Sequence, residues 1–171
     1  MKIKLVKIAQ LSGNKASIYT VLIDNDNGTL FDKFIIENKI SFKSELHNLT
    51  VRLKTMGQDT GAREHFFKQF EGNPGDGVCA LYDEPKSHLR LYCIRYGTTL
   101  VIVGGGGYKP KNIRALQEDP KLTAENHKMR SISQLITAKM SEGQIWFTKD
   151  YMEFDGSLEL TNEDDEDDEN D

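Results

Sequence analysis

Apolar and polar residues alternate in two short segments near the start of the chain, residues 2–9 and 17–24. This two-residue period is typical of β-strands, so both segments are predicted to be strands. Turn-forming residues fill the next segment, and its Asn27-Gly28 pair predicts a tight hairpin. Residues 30–36 are therefore expected to form the returning strand. The same residues also fit the start of a helix, since their apolar positions repeat with a 3.6-residue period as well.

The clearest helical pattern follows, where a single apolar stripe recurs at helical spacing. Ser41 is the expected N-cap, and Gly57 lies where a residue that ends a helix is expected. A second, shorter helix is expected to run from residue 59 or 60 to Phe70, with a loop over residues 72–77. The stripe of the first helix consists of Phe42, Leu46, Leu49, Leu53 and Met56.

Three consecutive runs rich in β-branched and aromatic residues come next, at residues 78–82, 89–95 and 98–103. Short turn segments separate them, which predicts an antiparallel meander. The two preceding helices are expected to cover one face of this meander as a helical hairpin, because its apolar side needs burial. The predicted fold class is therefore α+β, with an antiparallel sheet.

The last third of the chain is predicted to add one more helix, over residues 123–141, beginning at Thr123 and ending at Gly143. An apolar patch at residues 145–147 is expected to form an edge strand or to dock on the body. We therefore expect one domain over residues 1–150 and an acidic, disordered tail over residues 151–171. The stripe of this third helix consists of Met129, Ile132, Ile136 and Met140.

Charge is distributed unevenly along the chain. The net charge is −5, but eight of the last nine residues are Asp or Glu. Of the 27 acidic residues, the first 162 positions therefore keep 19, against 22 basic ones, so the body is weakly basic. Two interpretations of the acidic terminus remain open: it solvates the protein, or it competes with RNA for the basic body.

Composition narrows the remaining classes of protein. A length of 171 residues fits one domain. The longest apolar run, residues 98–103, is too short to cross a membrane, and the N-terminus lacks the pattern of a secretory signal. Cys79 and Cys93 each fall within a predicted strand and are expected to be buried free thiols, without the spacing of a metal site. A cytoplasmic protein without metal or cofactor is expected.

Basic and aromatic side chains are predicted to gather at one end of the meander. Arg90 and Tyr92 are two positions apart on one strand, so they are expected on the same sheet face. The segment after the next strand contributes Tyr108 and Lys109, which antiparallel pairing would bring near Arg90. Arginine and lysine in such a group suit the binding of a phosphodiester. The same segment also contains Lys111 and Arg114.

Residues 17–115 resemble the RelE/HigB toxin family of ribosome-dependent RNases in the order of predicted elements. The resemblance is carried by the strand His88-Leu89-Arg90-Leu91-Tyr92 and by the basic segment that begins at Lys109, which follows four glycines, residues 104–107. It implies a RelE-like fold with an extra N-terminal strand and an extra C-terminal helix. It also implies metal-independent cleavage of mRNA in the ribosomal A site, with mRNA, the ribosome and an antitoxin protein as partners.

The resemblance further implies roles for individual residues. Arg90 would stabilise charge in the transition state. Lys109 or Lys111 would contact phosphate or transfer a proton, and Tyr92 or Tyr108 would stack on a base, with Arg114 nearby in substrate binding. Four glycines stand where many members of the family have a large apolar residue. This difference keeps a second hypothesis open, a catalytically silent RelE-fold module that binds RNA or a protein partner.

Overall fold

The computed structural model describes residues 1–69, 71–82, 87–110 and 119–162, which form a mixed α+β structure around one large sheet. The helices in these ranges are α1 (Leu30–Asn38), α2 (Lys43–Thr55) and α3 (Pro120–Ser141). The strands are β1 (Lys2–Lys7), β2 (Ser17–Ile23), β3 (Phe67–Lys68), β4 (Val78–Leu81), β5 (Leu89–Tyr96), β6 (Leu100–Tyr108), β7 (Ile145–Phe147), β8 (Phe154–Gly156) and β9 (Glu159–Thr161).

Seven strands form the main sheet in the order β3-β4-β5-β6-β2-β1-β9, and β7 pairs with β8 separately. Strands β4, β5 and β6 follow one another with antiparallel pairing, so the predicted meander is confirmed. β2 joins β6 in parallel, with Ser17 opposite Leu100. This pairing brings the N-terminal β1–β2 hairpin against the meander and makes one continuous sheet.

Helices cover both faces of the sheet. Leu49 and Leu53 of α2 and Phe34 of α1 are buried with the side chains of Leu91 and Cys93 on one face. On the other face, α3 buries its apolar stripe against the opposite set of strand residues. The core on that side includes Tyr92, Ile94, Ile102, Met129, Ile132 and Ile136. The sheet therefore has two apolar faces, as expected for a central layer between helices.

Residues 30–36 form a helix, so the predicted returning strand is wrong and the helical alternative is confirmed. A capping box explains the start of α1: the Asp32 backbone N–H donates to Thr29 Oγ1 at 3.1 Å, and the Thr29 backbone N–H donates to the Asp32 carboxylate at 3.2 Å. These two bonds satisfy N–H groups that a helix start leaves open. The Asn27-Gly28 segment therefore leads from a strand into a helix instead of closing a hairpin.

The stripe that begins at Phe42 does form helix α2, but the predicted boundaries differ. Phe42 occupies the N-cap position and makes no side-chain capping bond, so Ser41 is not the cap. The helix continues into a π-helical turn, Met56–Thr60, which contains Gly57 and ends at Gly61 with φ of 80°. Only glycine adopts this left-handed conformation readily.

The second helix predicted from residue 59 or 60 to Phe70 is wrong. A short 3₁₀ turn, Glu64–Phe66, follows Gly61 and leads into the edge strand β3. The Ala62 backbone N–H donates to the Thr98 carbonyl at 2.7 Å, which ties this segment to the β5–β6 turn. Phe70 lies outside the described residues. The helical pair on this face of the sheet therefore consists of α1 and α2.

The predicted third helix is confirmed as α3, and Gly143, with φ of 74°, follows its end. Its start is earlier than predicted, because Asp119 and not Thr123 is the N-cap and accepts from the Leu122 backbone N–H at 2.9 Å. Residues 145–147 form β7, as one of the two alternatives predicted. Among the described residues, no helix is both long and apolar enough to cross a membrane.

The boundary expected at residue 151 is wrong for residues 151–162. Phe154 packs edge-on against Tyr19 with ring centroids 5.2 Å apart, and Leu160 is fully buried opposite Ile3. Strand β9 therefore completes the edge of the main sheet beside β1. Residues 163–171, which carry the acidic run, lie outside the described residues.

Candidate functional site

The four glycines lie within strand β6 and are buried under α3. The register of β5 and β6 jumps from Leu91–Gly106 to Cys93–Val103, so Gly104 and Gly105 face the single residue Tyr92 as a β-bulge. A Cβ atom on Gly104 would lie 2.3 Å from Met129 Sδ, and one on Gly105 would lie 2.5 Å from a carboxylate oxygen on α3. The glycines therefore make room for α3 on the sheet.

Arg90 is a buried residue on the α3 side of β5. Its side chain is only 6% exposed, and Nη1 lies 3.5 Å from Oε1 of Glu71. The Glu71 carbonyl accepts hydrogen bonds from Asn126 Nδ2 at 2.7 Å and from Arg130 Nη2 at 3.2 Å, both on α3. Helix α3 therefore holds in place the residue that neutralises Arg90.

Tyr92 lies on the same face as Arg90, as the alternation of the strand predicted, but its side chain is fully buried in the core beneath α3. A base-stacking role for Tyr92 requires an exposed ring. In this structure the ring is part of the core, and Tyr108 is the candidate tyrosine that is accessible.

Tyr108 and Lys109 lie at the end of β6, next to the start of β5. Tyr108 pairs with Leu89, and the Lys109 backbone N–H donates to the His88 carbonyl at 2.6 Å. Arg90 pairs with Gly107, two positions before Lys109 on the strand. The predicted proximity of Arg90 and Lys109 along the sheet is therefore confirmed in the register. Lys111 and Arg114 lie outside the described residues.

Three rings form a cluster at this end of the sheet. Phe42 at the start of α2, His88 before β5 and Tyr108 at the end of β6 have centroids 5.7 to 6.1 Å apart, with planes within 27° of parallel. Similar separations for all three pairs exclude a column, in which the outer rings would be twice as far apart. Tyr108 is 47% exposed. We call these three residues the ring cluster.

A carboxylate fixes the orientation of His88 within the ring cluster. His88 Nδ1 lies 2.8 Å from Oε1 of Glu45, and the His88 backbone N–H donates to both carboxylate oxygens, at 2.9 and 3.1 Å. The side chains of His88 and Glu45 are 34% and 24% exposed. A partly exposed imidazole held by a carboxylate is an arrangement suited to proton transfer.

Sequence reasoning identified neither Glu45 nor Phe42 as a site residue. His88 stood in the strand motif but received no role. Glu45 lies 43 positions before His88, so no local spacing connects them. The usable signal was the position of His88 directly before the strand that contains Arg90.

Among the described residues, no group of three or more His, Cys, Asp or Glu side chains is placed to hold a metal ion. In comparisons with known proteins, no family model, no curated sequence and no solved structure matches this chain.

Proposed function

We propose that this protein has a RelE-like fold and acts as an mRNA endoribonuclease of the toxin type at the ribosome. The observation that carries the proposal is the ring cluster, with its exposed Tyr108, beside Lys109 where β5 begins and β6 ends. Sequence-specific and single-stranded RNA recognition commonly uses aromatic rings for stacking and cations for the backbone. Both elements of such a site are present here.

The order of elements supports the same proposal. From β2 the chain runs through α1, α2 and the two-residue edge strand β3 into β4, β5 and β6. Apart from β3, this is the strand-helix-helix-strand-strand-strand order that the resemblance implies. Strand β5 lies between β4 and β6 and contains Arg90-Leu91-Tyr92, part of the segment that carries the resemblance. In this proposal Tyr108 stacks on a base and Lys109 contacts the neighbouring phosphate, while an antitoxin protein restrains the activity.

The burial of Arg90 favours a second candidate function, a RelE-fold module that binds RNA without cutting it. A phosphate cannot reach a guanidinium that is 6% exposed and faces Glu71, unless α3 moves. Residues 120–141 would then act as a permanent cover of the Arg90 face. In this candidate, only the ring cluster and the basic residues around it contact RNA.

One experiment separates the two candidates. The protein is expressed from a tightly controlled promoter, growth is followed, and cellular transcripts are mapped for new 5′ ends. Growth arrest with cut mRNA that Tyr108→Ala and Lys109→Ala weaken supports the toxin function. The matched control is Tyr82→Ala, an exposed tyrosine that lies outside the ring cluster.

Intact transcripts combined with RNA binding by the purified protein would favour the silent module. That binding should fall steeply with salt, because phosphate contacts release counterions. Intact transcripts without RNA binding would overturn both candidates.

A further inference from the structure

We propose that His88 is the general base of RNA cleavage at this site and that Glu45 is its positioning residue. This inference rests on the proposed endoribonuclease function and assigns proton transfer to His88, a residue to which the resemblance gives no role.

The carboxylate of Glu45 sets the tautomer of His88. When Nδ1 carries a proton and donates it to Oε1 at 2.8 Å, Nε2 presents a lone pair. The bonds from the His88 backbone N–H to both carboxylate oxygens hold Glu45 itself, so the acceptor cannot rotate away from the ring. This is the relation between an orienting carboxylate and a catalytic imidazole that proton transfer requires.

The second ring nitrogen is available for substrate. Within the part of the chain that the structure describes, His88 Nε2 makes no hydrogen bond, and the side chain is one-third exposed. The imidazole lies in the ring cluster, 6.1 Å from the ring of Tyr108 between centroids. A nucleotide whose base stacks on Tyr108 would therefore place its ribose beside His88.

The reaction step balances with these groups and water alone. The ribose 2′-oxygen attacks the adjacent phosphorus, and its proton passes to His88 Nε2. The bond between 2′-oxygen and phosphorus forms while the bond from phosphorus to the 5′-oxygen breaks, and that 5′-oxygen takes a proton from water. The products are a 2′,3′-cyclic phosphate and a 5′-hydroxyl. His88 then returns its proton to solvent, so no metal or oxidant is needed.

Glu45 also has a structural interpretation, since it joins the start of α2 to the start of β5. If the contact between His88 and Glu45 is purely structural, His88 variants should lose stability. The fraction of each variant that stays folded should then cleave RNA as the wild type does. Among the described residues, the titratable groups adjoining His88 are Glu45 on α2 and Tyr108 and Lys109 at the end of β6. The experiment must therefore report on the proton transfer and not only on the overall rate.

The test uses the full chain with a defined mRNA on purified ribosomes, and it measures the cleavage rate against pH. The pH profile of the wild type is compared with that of each variant, since loss of a general base changes the profile as well as the rate. His88→Gln replaces the basic ring with a neutral amide that cannot act as a base and should lower the rate by about 10²- to 10⁴-fold, the usual contribution of a general base. His88→Ala should recover part of its rate when imidazole is added.

Glu45→Gln should lower the maximal rate with little change in the half-saturating concentration of mRNA-programmed ribosomes, since only orientation of the base is weakened. His47→Gln, on the exposed side of α2, is the matched control and should leave the pH profile unchanged. Each variant is checked by thermal unfolding.

The outcomes distinguish this inference from the proposed function. If the wild type cuts mRNA and folded His88→Gln cuts it equally fast with the same pH profile, His88 is not the base and the endoribonuclease function stands. A slow His88→Ala that imidazole does not accelerate also contradicts the inference. If the wild type cuts no mRNA, the endoribonuclease function fails and the general base fails with it.

Discussion

Nη1 of Arg90 lies 3.5 Å from Oε1 of Glu71, in a place where both side chains are almost fully buried. Helix α3 covers this ion pair, and its residues Asn126 and Arg130 donate hydrogen bonds to the Glu71 carbonyl. The arginine that the sequence marks as the phosphate ligand is thus engaged inside the protein. RNA can therefore reach Arg90 only if α3 is displaced.

Glu71→Gln should destabilise the protein strongly, because it removes a carboxylate charge that faces the buried guanidinium of Arg90. Loss of one partner of a buried ion pair typically costs about 3–5 kcal/mol. Glu153→Gln is the matched control, since it removes an exposed carboxylate that pairs with Lys7 and should cost less than about 1 kcal/mol. The free energy of unfolding in urea measures both. Equal costs for the two variants would contradict a buried pair.

Gly106→Ala should be among the most damaging small substitutions in the chain. The added Cβ would lie 1.8 Å from the Arg90 carbonyl oxygen, which is a backbone atom, so the β5–β6 ladder must shift. We expect a loss of about 3 kcal/mol or more in the free energy of unfolding, at the upper end of overpacking costs. Gly28→Ala meets nothing closer than 3.5 Å and should be nearly neutral. A neutral Gly106→Ala would refute the close strand contact.

The stability of the protein should fall at alkaline pH because of Cys79. Burial raises the pKa of the Cys79 thiol from 9.0 to about 12. Between these values the unfolded chain is ionised and the native thiol is not, so unfolding releases a proton and stability falls as pH rises. The slope is at most about 1.4 kcal/mol per pH unit for this thiol. Urea unfolding at pH 8, 9 and 10 should show that the free energy of unfolding falls less steeply with pH for Cys79→Ala than for the wild type. Identical slopes would contradict a contribution from the Cys79 thiol.

Cys93 lies directly opposite Cys79 across β4 and β5, and burial raises the pKa of its thiol as well. Both are free cysteines, as predicted from their positions within strands. Neither thiol should react with a thiolate-specific reagent at pH 8 while the protein is native. Both should react fully in urea, and rapid labelling of the native protein would show that the two strands open.

Tyr108→Ala should weaken binding of single-stranded RNA by about 1–3 kcal/mol, the usual value of one base-stacking contact. Tyr82→Ala provides the control, as an exposed tyrosine without ring contacts in the described part of the chain. Fluorescence anisotropy with a labelled oligoribonucleotide measures both affinities. Similar affinities for the two variants would remove the ring cluster from the RNA-binding site.

Deletion of residues 163–171 distinguishes the two interpretations of the acidic run. If the run competes with RNA for basic side chains, the shortened chain should bind RNA more tightly at low salt, and the gain should shrink as salt rises. Unchanged affinity at every salt concentration would leave solvation as the role of these residues. The wild-type chain measured at the same salt concentrations is the reference.

Local pattern was sufficient for much of the fold. The stripe of α2, the stripe of α3 and the three runs of the meander each predicted an element, because side-chain period depends only on neighbouring residues. Even the helix at Leu30 had a local signal, since Thr29 and Asp32 stand three positions apart as a capping box. The predicted strand rested on the Asn27-Gly28 pair, and the helical alternative rested on the apolar period alone.

The sequence by itself thus determined helices α2 and α3, the three strands of the meander, the shared sheet face of Arg90 and Tyr92, and the burial of the two cysteines. Only the tertiary structure decided that β2 pairs with β6, that α3 covers Arg90, and that Glu45 holds His88. These contacts join residues tens of positions apart, so they depend on how whole faces pack and not on any local period. That packing also decides which candidate residues RNA can reach. Arg90 and Tyr92 are buried, whereas Tyr108 is exposed and His88 is one-third exposed.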